Sequence, residues 1–364
     1  MSWTTTTLGE VTDLKRGFDL PASKRVSGKY PVYSSSGKTG THDKYMVEGP
    51  CVITGRYGTI GKVFYSSNSC WPLNTSLYSC DFKGNNPRFV YYLLQTIPWS
   101  EYTTASAVPG VNRNHVNLHK VTIPDKIAQD RIAYLLDSIT SKIELNNQIN
   151  GYLADMASLE FSRRFNQSTP TVRLGNVLSI STKSVKPQEH IGEIWEHYSI
   201  PAYDAGGHPV LECAEEIKSG KYVVDRDCVL ISKLNPSTKR IWMPTCLSEH
   251  SVCSTEFIVY KPKNTKHKSF YFAALDAPAF TDFLLAHVTG STGSRQRTQP
   301  KATLDYPMPS PGPEAIADYC AFADPIYKRI EINNIEAKQL EAIRDMLLPK
   351  LLAGEIDITN VEII

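Results

Sequence analysis

The sequence lacks any apolar run approaching the roughly 18 residues that a membrane-spanning helix requires. Its first residues, Met1-Ser2-Trp3-Thr4, contain neither the basic nor the apolar segment of an export signal. The eight cysteines are scattered, with no Cys-x-x-Cys pair to indicate a zinc ribbon or a redox site. These absences exclude a membrane span and argue against export, so we expect a cytoplasmic protein with no membrane partner and with reduced thiols.

Catalytic motifs are missing as well. There is no Gly-x-Gly-x-x-Gly fingerprint, and Ser36-Gly37-Lys38-Thr39, which resembles the end of a phosphate loop, has Val32 where the first glycine is needed. No Asn-Pro-Pro-aromatic motif for adenine methylation is present. We therefore expect a chain that performs no catalysis and binds no cofactor of its own.

Two histidine and cysteine groupings are too incomplete to predict a metal site, since each lacks further ligands at zinc-site spacing. We expect the histidines to be exposed and the cysteines to lie in the core. These residues are His115 and His119 in one group, and Cys246, His250 and Cys253 in the other.

With 364 residues, 41% of them hydrophobic and 21% charged, the chain is long enough for two folded domains. Its net charge of +2 is unevenly distributed. Residues 1–125 carry +5 and residues 169–310 carry +2, whereas residues 126–168 are neutral and residues 311–364 carry −5. The first and third segments can therefore approach a polyanion, although a chance surplus of surface lysine explains the charge equally well.

The chain contains an internal duplication. Residues 142–147 recur, with conservative changes, at 329–334, an offset of 187. Nearer the N-terminus, residues 8–11 are echoed at 174–177, an offset of 166. Insertions in the loops of a second copy would produce this growing offset, so we expect the order domain, helix, domain, helix, with a period too long for a solenoid.

Residues 126–168 and 311–364 show the three-four apolar spacing of a helix with one seam. We expect these helices to pack antiparallel; separate amphipathic helices, each on its own domain, are the alternative. The pattern also places Met156 in the seam, and Pro325 predicts a break in the second helix. The predicted helix-helix interface is Ile139, Ile143, Asn146, Leu153, Ile326, Ile330, Asn333 and Leu340.

The segments between the helices are rich in short β-like runs. The predicted fold class is α+β, with two pseudo-symmetric domains separated by two long antiparallel coiled-coil helices. Strands are predicted at 51–54, 62–65, 76–79, 228–232, 240–243 and 256–260, and short helices at 87–95 and 268–275.

Four motifs accompany this duplicated order: Gly58-Thr59-Ile60-Gly61-Lys62-Val63-Phe64, Trp71-Pro72-Leu73-Asn74-Thr75-Ser76, the repeated helical stretch at 142–146, and the ending at 346–356. In this combination the sequence resembles the specificity subunit of type I restriction-modification enzymes over essentially its whole length. The resemblance implies that residues 1–125 and 169–310 are target-recognition domains, each binding one half of a split double-stranded DNA site. Residues 126–168 would form the first spacer helix, and residues 311–364 the second spacer helix with the C-terminal tail.

The resemblance also implies partners. The helices would dock two methyltransferase (modification) subunits, and restriction and translocation would belong to further, ATP-dependent subunits. S-adenosylmethionine, ATP and Mg²⁺ would then be bound by those partners. Two alternatives stay open: a specificity protein of a solitary methylation system without a nuclease, and a coiled-coil adaptor that binds proteins or glycans instead of DNA.

Reading base edges requires paired donors and acceptors, such as those of Arg, Asn and Gln, presented from loops. Loops of this composition occur in both domains, although Gly, Ser and Asn mark any turn. Those at Arg113 and at Arg295 and Arg297 are expected to be equivalent in the two copies, and nearby lysines would contact phosphates. The predicted DNA-binding residues are Lys15, Arg16, Ser36, Lys38, Arg56, Tyr57, Thr59, Asn112, Arg113, Asn114, Lys183, Lys186, Tyr203, Lys233, Asn235, Arg295, Gln296 and Arg297.

Overall fold

The computed structural model describes residues 2–103, 110–165, 169–289 and 296–360. The chain forms two compact units. Unit 1 comprises Met1–Glu144 and Lys338–Ile364, and unit 2 comprises Leu145–Ala337. Each unit thus contains one β-rich domain together with part of each long helix.

Unit 1 holds a four-stranded antiparallel sheet in the order β2-β8-β5-β6, a three-stranded sheet in the order β4-β3-β7, and the ladder β1-β9. Its strands are β1 (Trp3–Thr7), β2 (Lys15–Arg16), β3 (Tyr30–Ser34), β4 (Gly37–His42), β5 (Cys51–Gly55), β6 (Val63–Ser66), β7 (Trp71–Pro72), β8 (Ser76–Ser79) and β9 (Lys120–Pro124). Its helices are α1 (Leu8–Val11), α2 (Pro87–Gln95), α3 (Arg113–Val116) and the first part of α4 (Lys126–Arg164).

The core of unit 1 lies where α2 meets the start of α4. Helix α2 begins where the sequence predicts, because the Asn86 side chain accepts hydrogen bonds from two backbone N–H groups of the first turn and proline at the first position needs no donor. Its apolar face packs into one buried cluster with Ile132 and Leu136 of α4 and with Leu351 near the end of the second long helix.

Unit 2 holds a four-stranded sheet in the order β11-β19-β16-β17, a five-stranded sheet in the order β12-β15-β18-β13-β14, and the two-stranded ladders β10-β22 and β20-β21. Its strands are β10 (Thr171–Arg173), β11 (Leu178–Ser181), β12 (Ser184–Val185), β13 (Ile194–Tyr198), β14 (Val210–Cys213), β15 (Lys221–Val223), β16 (Val229–Ser232), β17 (Ile241–Trp242), β18 (Ser251–Cys253), β19 (Phe257–Pro262), β20 (Val288–Thr289), β21 (Arg297–Thr298) and β22 (Pro307–Pro309). Its helices are α5 (Ile200–Asp204), α6 (Lys268–Asp276), α7 (Pro278–Ala286) and most of α8 (Pro313–Leu352).

The duplication is visible in the sheet order. The set β11-β19-β16-β17 repeats β2-β8-β5-β6, and the ladder β10-β22 repeats β1-β9. The hairpin β13-β14 with its parallel neighbour β18 repeats the hairpin β3-β4 with its parallel neighbour β7. Unit 2 extends this second sheet by β15 and β12, which accounts for part of the growing offset between the copies.

The two long helices pack antiparallel within unit 2. Asn146 Nδ2 donates to Glu336 Oε2 at 2.9 Å, and the backbone carbonyl of Ala157, further along α4, accepts from the Tyr319 hydroxyl at 3.0 Å. The contacted residue number falls along α8 as it rises along α4, which is possible only in antiparallel packing. The predicted α+β class and the antiparallel helix pair are confirmed.

The eight residues of the predicted helix-helix interface are buried or half-buried. Asn146 and Asn333 are 1% and 0% exposed. Met156 is placed wrongly in the seam, since it is 45% exposed while the neighbouring Ala157 is fully buried. Ile143 and Ile326 are also buried, and Ile139, Leu153, Ile330 and Leu340 are half-buried.

The predicted break at Pro325 is also wrong, because α8 continues through it. Proline removes one backbone donor and leaves the carbonyl four residues earlier, that of Ala321, without its helical partner. Both residues are exposed, so water can satisfy that carbonyl at little cost. Within the described ranges, no helix is long and apolar enough to cross a membrane.

Candidate nucleic-acid interface

The sheet order of unit 1 brings together two segments that are distant in sequence. Lys15 and Arg16 on β2 pair with the β8 residues Tyr78 and Leu77. The turn after β5 reaches the other end of the same region, where the backbone N–H groups of Arg56 and Tyr57 both donate to the Thr75 carbonyl. Strand β8 therefore serves as the common support for both segments.

A third segment closes against the second. The Val111 N–H donates to the Arg56 carbonyl at 2.9 Å. Helix α3 then starts at Arg113 because Asn112 Oδ1 accepts from the Asn114 N–H at 3.1 Å. This cap occupies the side-chain amide oxygen of Asn112, whereas Arg113 and Asn114 are exposed to solvent.

These segments line a single cleft of about 910 Å³ in unit 1, called the unit 1 cleft below. Among the predicted DNA-binding residues, it includes Lys15, Arg16, Arg56, Tyr57, Asn112, Arg113 and Asn114. Its other lining residues are not among the predicted DNA-binding residues, although Gly110 and Val111 belong to the same predicted loop as Asn112: Asp13, Phe18, Leu77, Tyr78, Gly110, Val111 and Asn117.

The charge of the unit 1 cleft is predominantly positive. Lys15, Arg16, Arg56 and Arg113 line it against the single carboxylate of Asp13. That carboxylate lies 3.6 Å from Lys15 Nζ, and both side chains are nearly half exposed, so the pair is well screened. Arg16 and Arg113 are exposed and make no ion pair within the described ranges.

An arginine-tyrosine pair occupies one wall of the cleft. The Arg56 guanidinium carbon lies 4.5 Å from the centroid of the Tyr57 ring. The ring in turn lies against Gly110, whose backbone forms a bridge with that of Tyr57. On the floor, burial raises the pKa of the Tyr78 hydroxyl, so this group stays neutral.

Three predicted residues of unit 1 lie outside the cleft lining. Ser36 and Lys38 are exposed in the hairpin of β3 and β4. That hairpin is not a phosphate loop, because no helix follows it. Thr59 lies in the turn after β5, where its carbonyl is so close to Gly55 that a Cβ there would be 1.8 Å away. The close approach explains the glycine at position 55.

Unit 2 repeats the backbone pairing of these loops. The Thr298 N–H donates to the Lys233 carbonyl at 3.0 Å, just as Val111 donates to Arg56. The Asn235 N–H donates to the Gln296 carbonyl at 2.9 Å. Lys233 is therefore the counterpart of Arg56, and the structure brings Lys233, Asn235, Gln296 and Arg297 together.

The loops that carry Arg113 and Arg297 pair with the rest of their units in the same way, but Arg297 does not occupy the position of Arg113. The backbone pairing aligns Arg297 with Gly110 and places Pro300 at the position of Arg113. The Arg297 guanidinium instead binds Glu256 through two hydrogen bonds of 3.0 and 3.1 Å. The offset between the copies changes from 177 at Lys233 to 187 at Thr298, which sequence spacing alone did not reveal. Arg295 lies outside the described residues.

The remaining predicted residues of unit 2 have other surroundings. Lys183 is exposed, and Lys186 forms an ion pair of 3.0 Å with Glu189. The Tyr203 ring is half-buried and packs edge-on against Trp242 at 5.0 Å. The Lys186 pair is exposed and therefore well screened, like that of Lys15, whereas packing on Trp242 holds the Tyr203 ring in place.

The metal-site candidates from the sequence do not gather ligands. His115 is exposed, while the Nδ1 of His119 lies 2.6 Å from the Tyr102 hydroxyl. Cys253 belongs to a buried apolar cluster with Cys246 at its margin, and the His250 ring stacks on Trp195. Across the part of the chain that the structure describes, no group of three or more His, Cys, Asp or Glu side chains could hold a metal ion.

Residues 1–153 match the family model described as the type I restriction modification DNA specificity domain. Among solved structures, the chain is similar to the S subunit of a type I restriction-modification system from M. genitalium, with 16% identity, 96% of each chain covered and a TM-score of 0.63. It is also similar to the HsdS subunit of Thermoanaerobacter tengcongensis, with 14% identity, 97% of each chain covered and a TM-score of 0.32. No curated protein matches by sequence. The family model confirms the resemblance inferred from the motifs over residues 1–153, and the first of these structures shows that the fold is shared along nearly the whole chain.

Proposed function

Residues 1–153 carry a type I restriction modification DNA specificity domain, and from this premise we propose that the chain is the non-catalytic DNA specificity subunit of a type I restriction-modification complex. In this proposal, the unit 1 cleft binds one half of a bipartite duplex site, and the corresponding loops of unit 2 bind the other half. The family match is to a specificity domain rather than to a catalytic one, which supports a recognition role.

The observation that carries the proposal is the convergence of four cations on one cleft that is also lined by Asn112 and Asn114, whose residue type can pair with base edges. Lysine and arginine neutralise phosphates and release counterions, which supplies affinity without sequence preference. The fork of Arg56 or Arg113 matches guanine, and the amide of Asn114 matches adenine, so the same surface can also select a sequence. A protein-binding adaptor has no need for this combination.

An exposed apolar stripe on α4 supports docking of the modification subunits. Leu145, Tyr152, Met156 and Leu159 are 50%, 74%, 45% and 70% exposed. Their spacing of seven, four and three residues places them along one side of the helix. A row of large apolar side chains in water is unfavourable unless a partner covers it. In this proposal, S-adenosylmethionine, ATP and Mg²⁺ are bound by the partner subunits.

The proposal is tested by titrating the full chain with random-sequence duplex DNA at several salt concentrations. We expect log K to fall linearly with log salt, by about 0.9 for each phosphate contacted. Absence of binding would contradict the proposal and favour the adaptor. Neighbouring genes for a methyltransferase without a nuclease would favour the solitary methylation system instead.

A further inference from the structure

Gly110 is required by a neighbouring side chain rather than by its own backbone. Its φ lies outside the left-handed region, so alanine could adopt the same backbone conformation. A Cβ at this position, however, would lie 2.2 Å from Cε1 and 2.8 Å from Cδ1 of the Tyr57 ring. The ring therefore occupies the space that any side chain at position 110 would need.

The ring that Gly110 accommodates also holds an arginine. The Arg56 guanidinium lies over Tyr57 at 4.5 Å, and within the described ranges it forms no hydrogen bond or ion pair. Arg56 is half-buried, and a partly accessible arginine without hydrogen-bond partners still samples several rotamers, so that fixing it on binding weakens affinity. Stacking on Tyr57 restricts these rotamers beforehand while leaving the N–H donors of the guanidinium unused.

We infer that Gly110 is a positioning residue for base selectivity: by lacking a Cβ it lets the Tyr57 ring hold the Arg56 guanidinium in the unit 1 cleft, where its fork reads a guanine. The inference rests on the proposed function and deepens it for one half of the site. The aligned positions of unit 2 hold Lys233, Leu234 and Arg297. These positions therefore contain neither an arginine stacked on a tyrosine ring nor a glycine facing such a ring. That unit therefore reads its half-site through other contacts.

The test substitutes Gly110→Ala in the full chain and selects bound sequences from a randomised duplex library. We expect wild type to enrich guanine at a position that Gly110→Ala no longer discriminates. The enrichment ratio there should fall about tenfold, within the range that one bidentate arginine-guanine pair provides. The salt dependence of binding should not change, because no charge is altered.

Gly151→Ala is the matched control, since Gly151 lies in helix α4 and a Cβ there meets nothing within 4 Å. It should leave the selected sequences unchanged. Tyr57→Ala removes the ring instead of displacing it, and should abolish the same guanine preference. In the Tyr57→Ala background, Gly110→Ala should have no additional effect.

The outcomes separate the inference from the proposed function. If wild type selects a sequence and the folded Gly110→Ala variant selects the same one equally well, the inference is overturned alone. Additive effects of the two substitutions would overturn it too, because Gly110 would then act independently of Tyr57. Should Gly110→Ala not fold, retention of the guanine preference by Tyr57→Ala overturns the inference. Failure of wild type to bind duplex DNA overturns the proposed function and the inference with it.

Discussion

Replacing Arg16 with glutamine should weaken DNA binding uniformly across sequences. Arg16 lies on β2, where its backbone pairs with Leu77, and its side chain is exposed at the edge of the unit 1 cleft. The substitution removes one positive charge without disturbing the strand pairing or the core. An arginine with this placement, and without an ion pair to any described residue, is suited to a phosphate contact, which positions the duplex but carries no sequence information.

The magnitude follows from counterion release. If Lys15, Arg16 and Arg113 contact phosphates while Arg56 reads a base, unit 1 contributes a slope of about −2.7 to the dependence of log K on log salt. Arg16→Gln should reduce the size of that slope by about 0.9. A single contact therefore changes affinity roughly 3.5-fold between 50 and 200 mM salt, which titrations at three or four salt concentrations resolve.

Fluorescence anisotropy with two unrelated labelled duplexes is a suitable assay. Lys44→Gln is the charge-matched control, since Lys44 is exposed in unit 1 and does not line the cleft. The reasoning is refuted if Arg16→Gln changes the slope no more than Lys44→Gln does. It is also refuted if the affinity loss is confined to one of the two duplexes, because Arg16 would then read bases.

Three further predictions concern stability and assembly. Arg88→Ala should lower the free energy of unfolding, measured by urea titration, by about 2 kcal/mol, because Arg88 Nε donates to both carboxylate oxygens of Asp137 at 2.7 and 2.9 Å. Arg88→Lys should lower it less, since the charge is kept. An equal loss in both variants would contradict the bidentate role. Burial lowers the pKa of His197, and the nearby Glu212 carboxylate offsets this lowering only in part. The unfolded chain therefore takes up a proton more readily than the folded one, and stability should fall as pH drops below about 6.5. In melting curves, His197→Gln should make that fall less steep. Tyr152→Glu should prevent co-purification with the modification subunits at an unchanged melting temperature, and retention of the complex would exclude the α4 stripe as the docking surface.

The repeated architecture could be predicted because it depends on local patterns. Helix α2 spans the predicted residues, and β5, β8 and α6 begin or end within about a residue of the predictions, since apolar runs and caps define these elements locally. The failures have equally local causes. Pro325 lies on an exposed face, where a lost hydrogen bond costs little, and Met156 is displaced from the seam by one residue in helical phase.

The residues of the unit 1 cleft could be predicted from the sequence, whereas the corresponding loops of unit 2 could be predicted only in part, because the two depend on different information. In unit 1, composition identifies Arg56 and Arg113, and the backbone pairing of their loops brings them to one cleft. In unit 2, the copy of this framework is preserved as backbone pairing, with Lys233 bonded to Thr298 as Arg56 is to Val111. The side chains on that framework have changed, and an inserted length shifts the register by ten residues between the two loops. The repeated sequence segments therefore locate the shared backbone framework. Which loop residues are equivalent in the two copies has to be read from the backbone hydrogen bonds that join the loops. This division fits the proposed function, in which the pairing fixes where the loops lie while each copy presents different side chains to its own half-site.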